Sequence, residues 1–264
     1  IKDFLIIGSG DMAFEYSRVL DYLNLDYDVF GRGKSSALNF KKITGKEVNR
    51  GNFTEFINSK VDFYKYIIVA VSSDQLFNVT DSCFRLNPKK ILVEKPAAFK
   101  LEELLSLKKS SQTQGVDLFV GYNRRFYSSV MKARKIVEKD GGLLSFKFDF
   151  TEWSHQLINE DIPSDILKKW FIVNSSHVID LAFFLGGKVS KIESRVKSNL
   201  NWHPSGSIFV GSGSTNNGSL FSYHSNWESP GRWGIELFTK KDNNSFEARK
   251  DKIIFNLNED NILT

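Results

Sequence analysis

The sequence predicts an α/β protein: a doubly wound parallel sheet in the first half, then a second α+β unit with an open, mainly antiparallel sheet. Three observations carry that expectation. Short, wholly apolar runs alternate with amphipathic stretches through the first 121 residues. A glycine-rich bend joins the first run to the stretch that follows it. From Gly142 onward, the apolar runs give way to residue-by-residue alternation.

Phe4-Leu5-Ile6-Ile7 is continuous and apolar, as a strand covered on both faces must be. It stops at Gly8, and a helix is predicted from there through Leu20. Tyr27-Asp28-Val29-Phe30 reads as the second strand, followed by the turn Gly31-Arg32-Gly33. Ile67 to Val71, Ile91 to Val93 and Leu118 to Val120 continue the series, with a helix from Leu101 to Ser110 ahead of the last. Domains are therefore placed at 1–121 and 122–264. In the second, Leu144 to Phe150 alternates as a half-buried antiparallel strand does. A helix runs from near Ser175 through Leu185 and ends at Gly186-Gly187. Further strands are predicted at Ile192 to Val196, Ser207 to Gly211, Ser219 to Trp227 and Trp233 to Thr239, with a turn at Thr215-Asn216-Asn217-Gly218.

Composition narrows the function classes. The chain has 264 residues, is 41% hydrophobic and carries a formal charge of +5, so it can bury a core, and its lysines are dispersed rather than striped. That argues against nucleic-acid binding and leaves a mild attraction for anionic small molecules. A lone cysteine, Cys83, rules out a disulfide within the chain and suits a reducing compartment, the cytoplasm being the simplest. No apolar run approaches bilayer length, so no membrane association is expected. The opening segment lacks the basic head of a secretory signal. Four scattered histidines give no metal-ligand spacing, and no metal is expected.

The segment Gly8-Ser9-Gly10-Asp11-Met12-Ala13 lies between the first strand and its helix. In that context Gly8 permits a tight turn, Gly10 lets the backbone approach a diphosphate, and Ala13 lets the helix pack on the strand. The helix N-terminus presents free N–H groups to the phosphates. A dinucleotide site is therefore predicted here. The second strand is followed by Arg32, Lys34, Ser35 and Ser36, with no carboxylate to grip ribose hydroxyls. That set suits a ribose 2′-phosphate and favours NADP over NAD; a solvated basic turn is the alternative. Ser72, Ser73 and Asp74 follow the strand ending at Val71, where ligands of such sheets bind, and are candidates for the ribose near the nicotinamide.

Further on stand Glu94-Lys95-Pro96, Gly121-Tyr122-Asn123-Arg124-Arg125-Phe126, Asn174-Ser175-Ser176-His177 with Asp180, and Pro230-Gly231-Arg232-Trp233-Gly234. In this order and at this spacing, from Ile1 to about Leu237, they resemble the Gfo/Idh/MocA family, named for glucose-fructose oxidoreductase and inositol dehydrogenase. The resemblance implies a Rossmann domain and a second domain whose open sheet packs against a partner subunit, hence a homo-oligomer. It also implies an NAD(P)-dependent oxidoreductase that moves a hydride to or from a hydroxyl or keto carbon of a sugar or nucleotide-sugar. The histidine and Pro-Gly-Arg-Trp-Gly segments resemble a bacterial surface-polysaccharide branch.

By the same resemblance, Lys95 is the lysine that touches both the nicotinamide and the reacting oxygen, with Glu94 beside it on the cofactor. His177 is the acid or base, its ordinary pKa lying near neutrality. Tyr122, Asn123, Arg124 and Asn174 join Lys95 and His177 as candidate substrate contacts. Arg124 and Arg125 are each read either as an anion binder or as a partner in an interdomain salt bridge, and Asp180 either as orienting the imidazole or as packing the helix. Trp153, His155, Trp170, Trp202 and His203 are candidates for a sugar site or for core. One departure stands out. Where the family commonly has Asp one turn before the histidine, this chain has Val173, with Asn174 next to it. That substitution, together with an early end compared with the family, keeps open a catalytically weak or inactive dinucleotide-binding sensor.

Overall fold

The computed structural model describes residues 3–61 and 63–240, and the backbone of two strands beyond them. The chain divides into two compact units, Ile1–Gly121 and Tyr122–Thr264.

The first unit holds β1 (Phe4–Ile7), α1 (Asp11–Tyr22), β2 (Tyr27–Phe30), α2 (Lys34–Thr44), β3 (Val48–Asn49), α3 (Phe53–Asn58), β4 (Tyr66–Val69), α4 (Leu76–Cys83), β5 (Lys90–Val93), α5 (Leu101–Gln114) and β6 (Asp117–Val120). The sheet order is β3-β2-β1-β4-β5-β6, with every pair parallel. The order reverses between β1 and β4, which opens a crevice at the carboxyl ends of those strands. Leu5 and Ile7 join one core with Ile67, Val69, Ile91 and Leu107, while Ile6 joins another with Ala13, Val29 and Phe40. Both faces are thus covered, which is why the strands lack alternation. The strand expected over Ile67 to Val71 stops at Val69; the Ala70 N–H still donates to the Ile7 carbonyl oxygen at 2.8 Å, and Val71 beyond it lines the crevice.

In the second unit follow α6 (Ser128–Lys139), β7 (Leu143–Phe150), α7 (Ser154–Leu157), α8 (Ser164–Leu167), a π-helical turn (Phe171–Ser175) and α9 (Ser176–Gly186). Then come β8 (Val189–Lys197), β9 (Ile208–Thr215), β10 (Leu220–Asn226), β11 (Trp233–Thr239), β12 (Lys252–Asn256) and β13 (Asn261–Leu263). The order is β13-β12-β11-β7-β10-β9-β8. All neighbours are antiparallel except β7 and β10, which are parallel. Phe146, Phe148 and Phe150 alternate inward from β7 and pack beneath Val178, Leu181 and Ala182 of α9. Phe183 stands edge-on to Phe146, Phe148 and Phe221, at 5.8, 5.6 and 5.0 Å between ring centres, the arrangement aromatic quadrupoles favour.

Leu144 departs from the expected alternation: it is 39% exposed while Leu143 is buried. The β7–β11 register slips between Phe238 and Thr239, so Leu143 faces Thr239 and Leu144 is the extra residue of a bulge. At the opposite side of the sheet, β8 is exposed from Ser190 to Lys197.

His203 belongs to the core. It is 1% exposed, its ring lies 4.6 Å from that of Trp227, and its Nδ1 is 2.7 Å from the Gly206 carbonyl oxygen. Trp202 stacks on Trp227 at 5.5 Å. Burial holds the His203 pKa below its ordinary value. The neutral ring donates from Nδ1 to Gly206 and accepts from Ser205 at Nε2, 3.3 Å away. A proton must therefore go on in the unfolded chain before it does in the fold. Stability contributed by this site is complete above neutrality and falls as pH drops through about 6.5, the unfolded value. Denaturant titrations at pH 7.5 and 5.5 should show that loss, and His203→Gln should diminish it.

Candidate functional site

The crevice of the first unit is built around the bend after β1. Gly8 has φ +126°, and a Cβ there would stand 2.0 Å from the Ala70 carbonyl oxygen, so only glycine fits. Its N–H donates to the Phe30 carbonyl oxygen at 2.8 Å, binding the bend to β2. Gly10 precedes α1 without a side-chain cap, which leaves first-turn N–H groups for a ligand. A Cβ at Gly10 would meet nothing within 4 Å. Ala13 is fully buried under the helix. The resulting cavity, about 560 Å³, has Gly8, Ser9, Gly10, Asp11 and Met12 on one wall, Phe30 to Gly33 with Ser36 on a second, and Ala70, Val71 and Ser72 on a third.

At the end of β2, Arg32 lines this cavity, its Nη2 3.5 Å from Gln75 Oε1. Ser9 and Ser36 share a hydroxyl hydrogen bond of 3.0 Å. Ser36 lines the cavity, whereas its neighbours Lys34 and Ser35 open α2 without lining it. Ser72 lines it and Ser73 does not. Hydrogen bonds from Gln75 and Ser72, with Arg32 nearby, hold the Asp74 carboxyl below the usual range. Gln75 sits in no motif, so nothing in the sequence marked it.

Lys95 leaves β5 through a fixed turn. The Glu94 N–H donates to the Val69 carbonyl oxygen at 2.9 Å, the Glu94 carbonyl accepts from Ala97 at 3.0 Å, and the Lys95–Pro96 bond is cis. Glu94 is 8% exposed and accepts a 2.6 Å hydrogen bond from the Tyr16 hydroxyl on α1. Burial, reinforced by that carboxylate, pushes the Tyr16 phenol pKa up, so it stays a donor. The pair ties the turn carrying Lys95 to the helix that carries the glycine bend.

Among the second-unit candidates, Asn123 to Phe126 form a 3-10 turn. Arg125 grips Asp180 with both arms of its guanidinium, Nε lying 2.7 Å from Oδ2 and Nη2 on Oδ1. Asp180 therefore anchors Arg125, and this salt bridge lies within the second unit, not between domains as the sequence led one to expect. Tyr122 stands edge-on to His177 at 6.2 Å, with its pKa raised by burial. Trp233 lies 6.3 Å from the same imidazole and carries the Arg124 guanidinium 5.0 Å over its ring.

Glu152, just past β7, carries no sequence signal beyond a charge directly after a buried strand. It is 6% exposed, accepts from Ser175 Oγ at 2.6 Å, and has Asn174 Nδ2 at 3.2 and 3.0 Å from its two oxygens. Burial raises its pKa, opposed by the hydrogen bonds from Ser175 and Asn174. Val173, where the resemblance leads one to look for Asp, is 8% exposed. A second cavity of about 560 Å³ adjoins Glu152 and includes Trp153, His155, Glu228 and Arg232. Trp153 there donates to the Gly231 carbonyl oxygen at 2.9 Å beneath the Arg232 guanidinium. Among the described residues no cluster of His, Cys, Asp or Glu is arranged for a metal, and no helix is long and apolar enough to cross a membrane.

Replacing Tyr16 by Phe removes one hydrogen bond to a buried carboxylate and should lower stability by about 1.5–3 kcal/mol. Tyr22→Phe, at a site 86% exposed, should leave stability unchanged in the same denaturant series.

Comparison with known proteins agrees with this geometry. Residues 2–122 match the model of the Gfo/Idh/MocA oxidoreductase family, described as an NAD-binding Rossmann fold. Levoglucosan dehydrogenase in complex with NADH superposes with a TM-score of 0.77 at 17% identity, over 97% of this chain and 73% of the other. An NAD-binding oxidoreductase from Klebsiella pneumoniae gives 0.74 at 13% identity, over 95% and 78%. The WlbA dehydrogenase from Chromobacterium violaceum, with NADH and UDP-GlcNAcA, gives 0.73 at 15% identity, over 96% and 73%. No curated protein matches the chain in sequence. At these identities the superpositions show a shared fold, and the family likeness rests on the first unit, whose residues 2–122 match the Gfo/Idh/MocA oxidoreductases.

Proposed function

We propose that the chain is an NAD(P)-dependent dehydrogenase or reductase that moves a hydride to or from a hydroxyl or keto carbon of a sugar or nucleotide-sugar. The observation that carries this reading is the open space where a Gly10 Cβ would stand, in front of an uncapped helix terminus. A diphosphate fits there, with backbone N–H groups of α1 as donors. Residues 1–121 are assigned to the dinucleotide and 122–264 to substrate and assembly. When bound, the dinucleotide supplies the hydride donor or acceptor, and the remaining work falls to side chains.

NADP is favoured over NAD. Arg32 and Ser36 line the cavity at the end of β2, and no carboxylate lies between Phe30 and Ser36 to accept from ribose hydroxyls. Lys34 and Ser35, at the start of α2, add charge and a donor for a 2′-phosphate. The Lys95 ammonium is assigned to stabilising negative charge on the reacting oxygen, and His177 to taking or returning its proton. Tyr122, Asn123, Arg124 and Asn174 are assigned to sugar hydroxyls. Association into a homo-oligomer through the open face of the second sheet is supported by Leu220, which is 62% exposed on the face opposite the core residue Phe221. A single, buried thiol at Cys83 supports a cytoplasmic setting. The buried Val173 favours a second reading, a sensor that binds dinucleotide without turnover.

Calorimetry with NADPH, NADP, NADH and NAD tests the first step. Turnover of levoglucosan, UDP-GlcNAcA and a panel of further sugars tests the second. Lys95→Ala should lower kcat by roughly 10²–10⁴ while the fold is retained. Arg32→Ala should reduce the preference for NADP over NAD by about tenfold, near 1.4 kcal/mol. Uptake of neither dinucleotide ends the reading, and turnover indifferent to Lys95→Ala ends the role of that lysine.

A further inference from the structure

Resting on the dehydrogenase reading, we propose that Glu152 is a positioning residue for substrate selection: it holds the Asn174 amide by its NH₂ end and presents the carbonyl oxygen, Oδ1, as an acceptor for a sugar hydroxyl. The geometry is one-sided. Both Glu152 oxygens lie within hydrogen-bond reach of Asn174 Nδ2, at 3.2 and 3.0 Å. With both of its oxygens accepting from Nδ2, the carboxyl group holds the amide by the nitrogen. Reversing the amide would set two acceptors face to face in a buried place, since Glu152 is 6% exposed. Without Glu152, Asn174 could offer a site either its donor or its acceptor. With it, the side chain offers one.

Ser175 holds Glu152 in turn, through a 2.6 Å hydrogen bond to Oε1. Trp233 lies close enough to influence the same carboxyl, and its ring is 6.3 Å from the His177 imidazole. Asn174 precedes His177 by less than a turn, across the junction of the π-helical turn and α9. Asn174 and His177 thus stand three residues apart on one continuous stretch of helical backbone. Val173 supplies no charge on this helix, and the negative charge stands behind Asn174 on Glu152. Such an acceptor pairs with a hydroxyl and repels a carboxylate or keto oxygen. A buried partner of this kind rejects analogues that lack the hydroxyl.

The test is a double-mutant cycle on the full chain, with the best-used sugar of the panel. Glu152→Gln and Asn174→Ala should each raise KM about tenfold, with kcat changed less than about threefold and dinucleotide affinity unchanged. Because Glu152 acts through Asn174, the double variant should be no worse than Asn174→Ala. A merely structural role for Glu152 would add its loss to that of Asn174, giving about a hundredfold rise in KM, and so overturns the proposal. An Asn174→Ala protein with the wild-type KM overturns it as well. If Glu152→Gln does not fold in thermal melts, Asn174→Asp takes its place. That change sets a second carboxylate against Glu152 and should raise KM at least as far as alanine does; an unchanged KM overturns the proposal. Wild-type protein that binds dinucleotide but uses no sugar ends the parent reading and this one with it. Wild-type turnover with unmoved KM in the variants ends this one alone.

Discussion

Where β1 leaves the sheet, a Cβ on Gly8 would stand 2.0 Å from the Ala70 carbonyl oxygen, and the backbone takes φ +126°. Two neighbouring strands are thereby brought so close at their carboxyl ends that the chain must turn at once into α1. The rest of the first unit is arranged around this crossing. β2 is bound to it through the Phe30 carbonyl, Ala13 lets the helix settle on the strand, and the crevice opens where the strand order reverses. A side chain at Gly8 would force apart the walls that make the cavity, whereas Gly10 has room for one. The two glycines thus differ: packing demands the first and leaves space beside the second.

Each unit also places a buried carboxylate just beyond a strand and surrounds it with donors. Glu94 follows β5 and is met by the Tyr16 hydroxyl; Glu152 follows β7 and is met by Ser175 and Asn174. A buried charge left without donors costs several kcal/mol, so these acids constrain their surroundings firmly. Glu94 fixes the turn from which Lys95 emerges, and Glu152 fixes the approach to the helix of His177. Neither needs to touch substrate to matter.

Much of the first unit was legible because strands buried on both faces are apolar throughout and the glycine bend has a mechanical reason for each small residue. β3 escaped because Val48-Asn49 is too short to show any period. Val71 looked like strand, being β-branched, but its backbone had left the ladder. In the second unit the alternation of Phe146, Phe148 and Phe150 was plain, while the bulge at Leu144 depends on the register of β11, which is remote in sequence. For the site, the spacing of His177 and Asp180 indicated a common helical face but not that Arg125 would claim the carboxylate. Ser36, rather than Ser35, lines the cavity because helical rotation at the start of α2 decides which hydroxyl turns inward. Glu152 was invisible because its significance lies in burial and in partners more than twenty residues away.

The last strand of the second sheet, β8, carries Lys191, Glu193, Arg195 and Lys197 at every other position along one face. An incoming strand of another chain, seeking to lengthen the ladder, would have to bring its own side chains against that charged row and strip water from it. On the other side of the same strand, Ile192 and Val196 turn toward the face that carries Phe209 and Phe221. The charged margin thus opposes growth of the sheet, edge by edge, into a fibre.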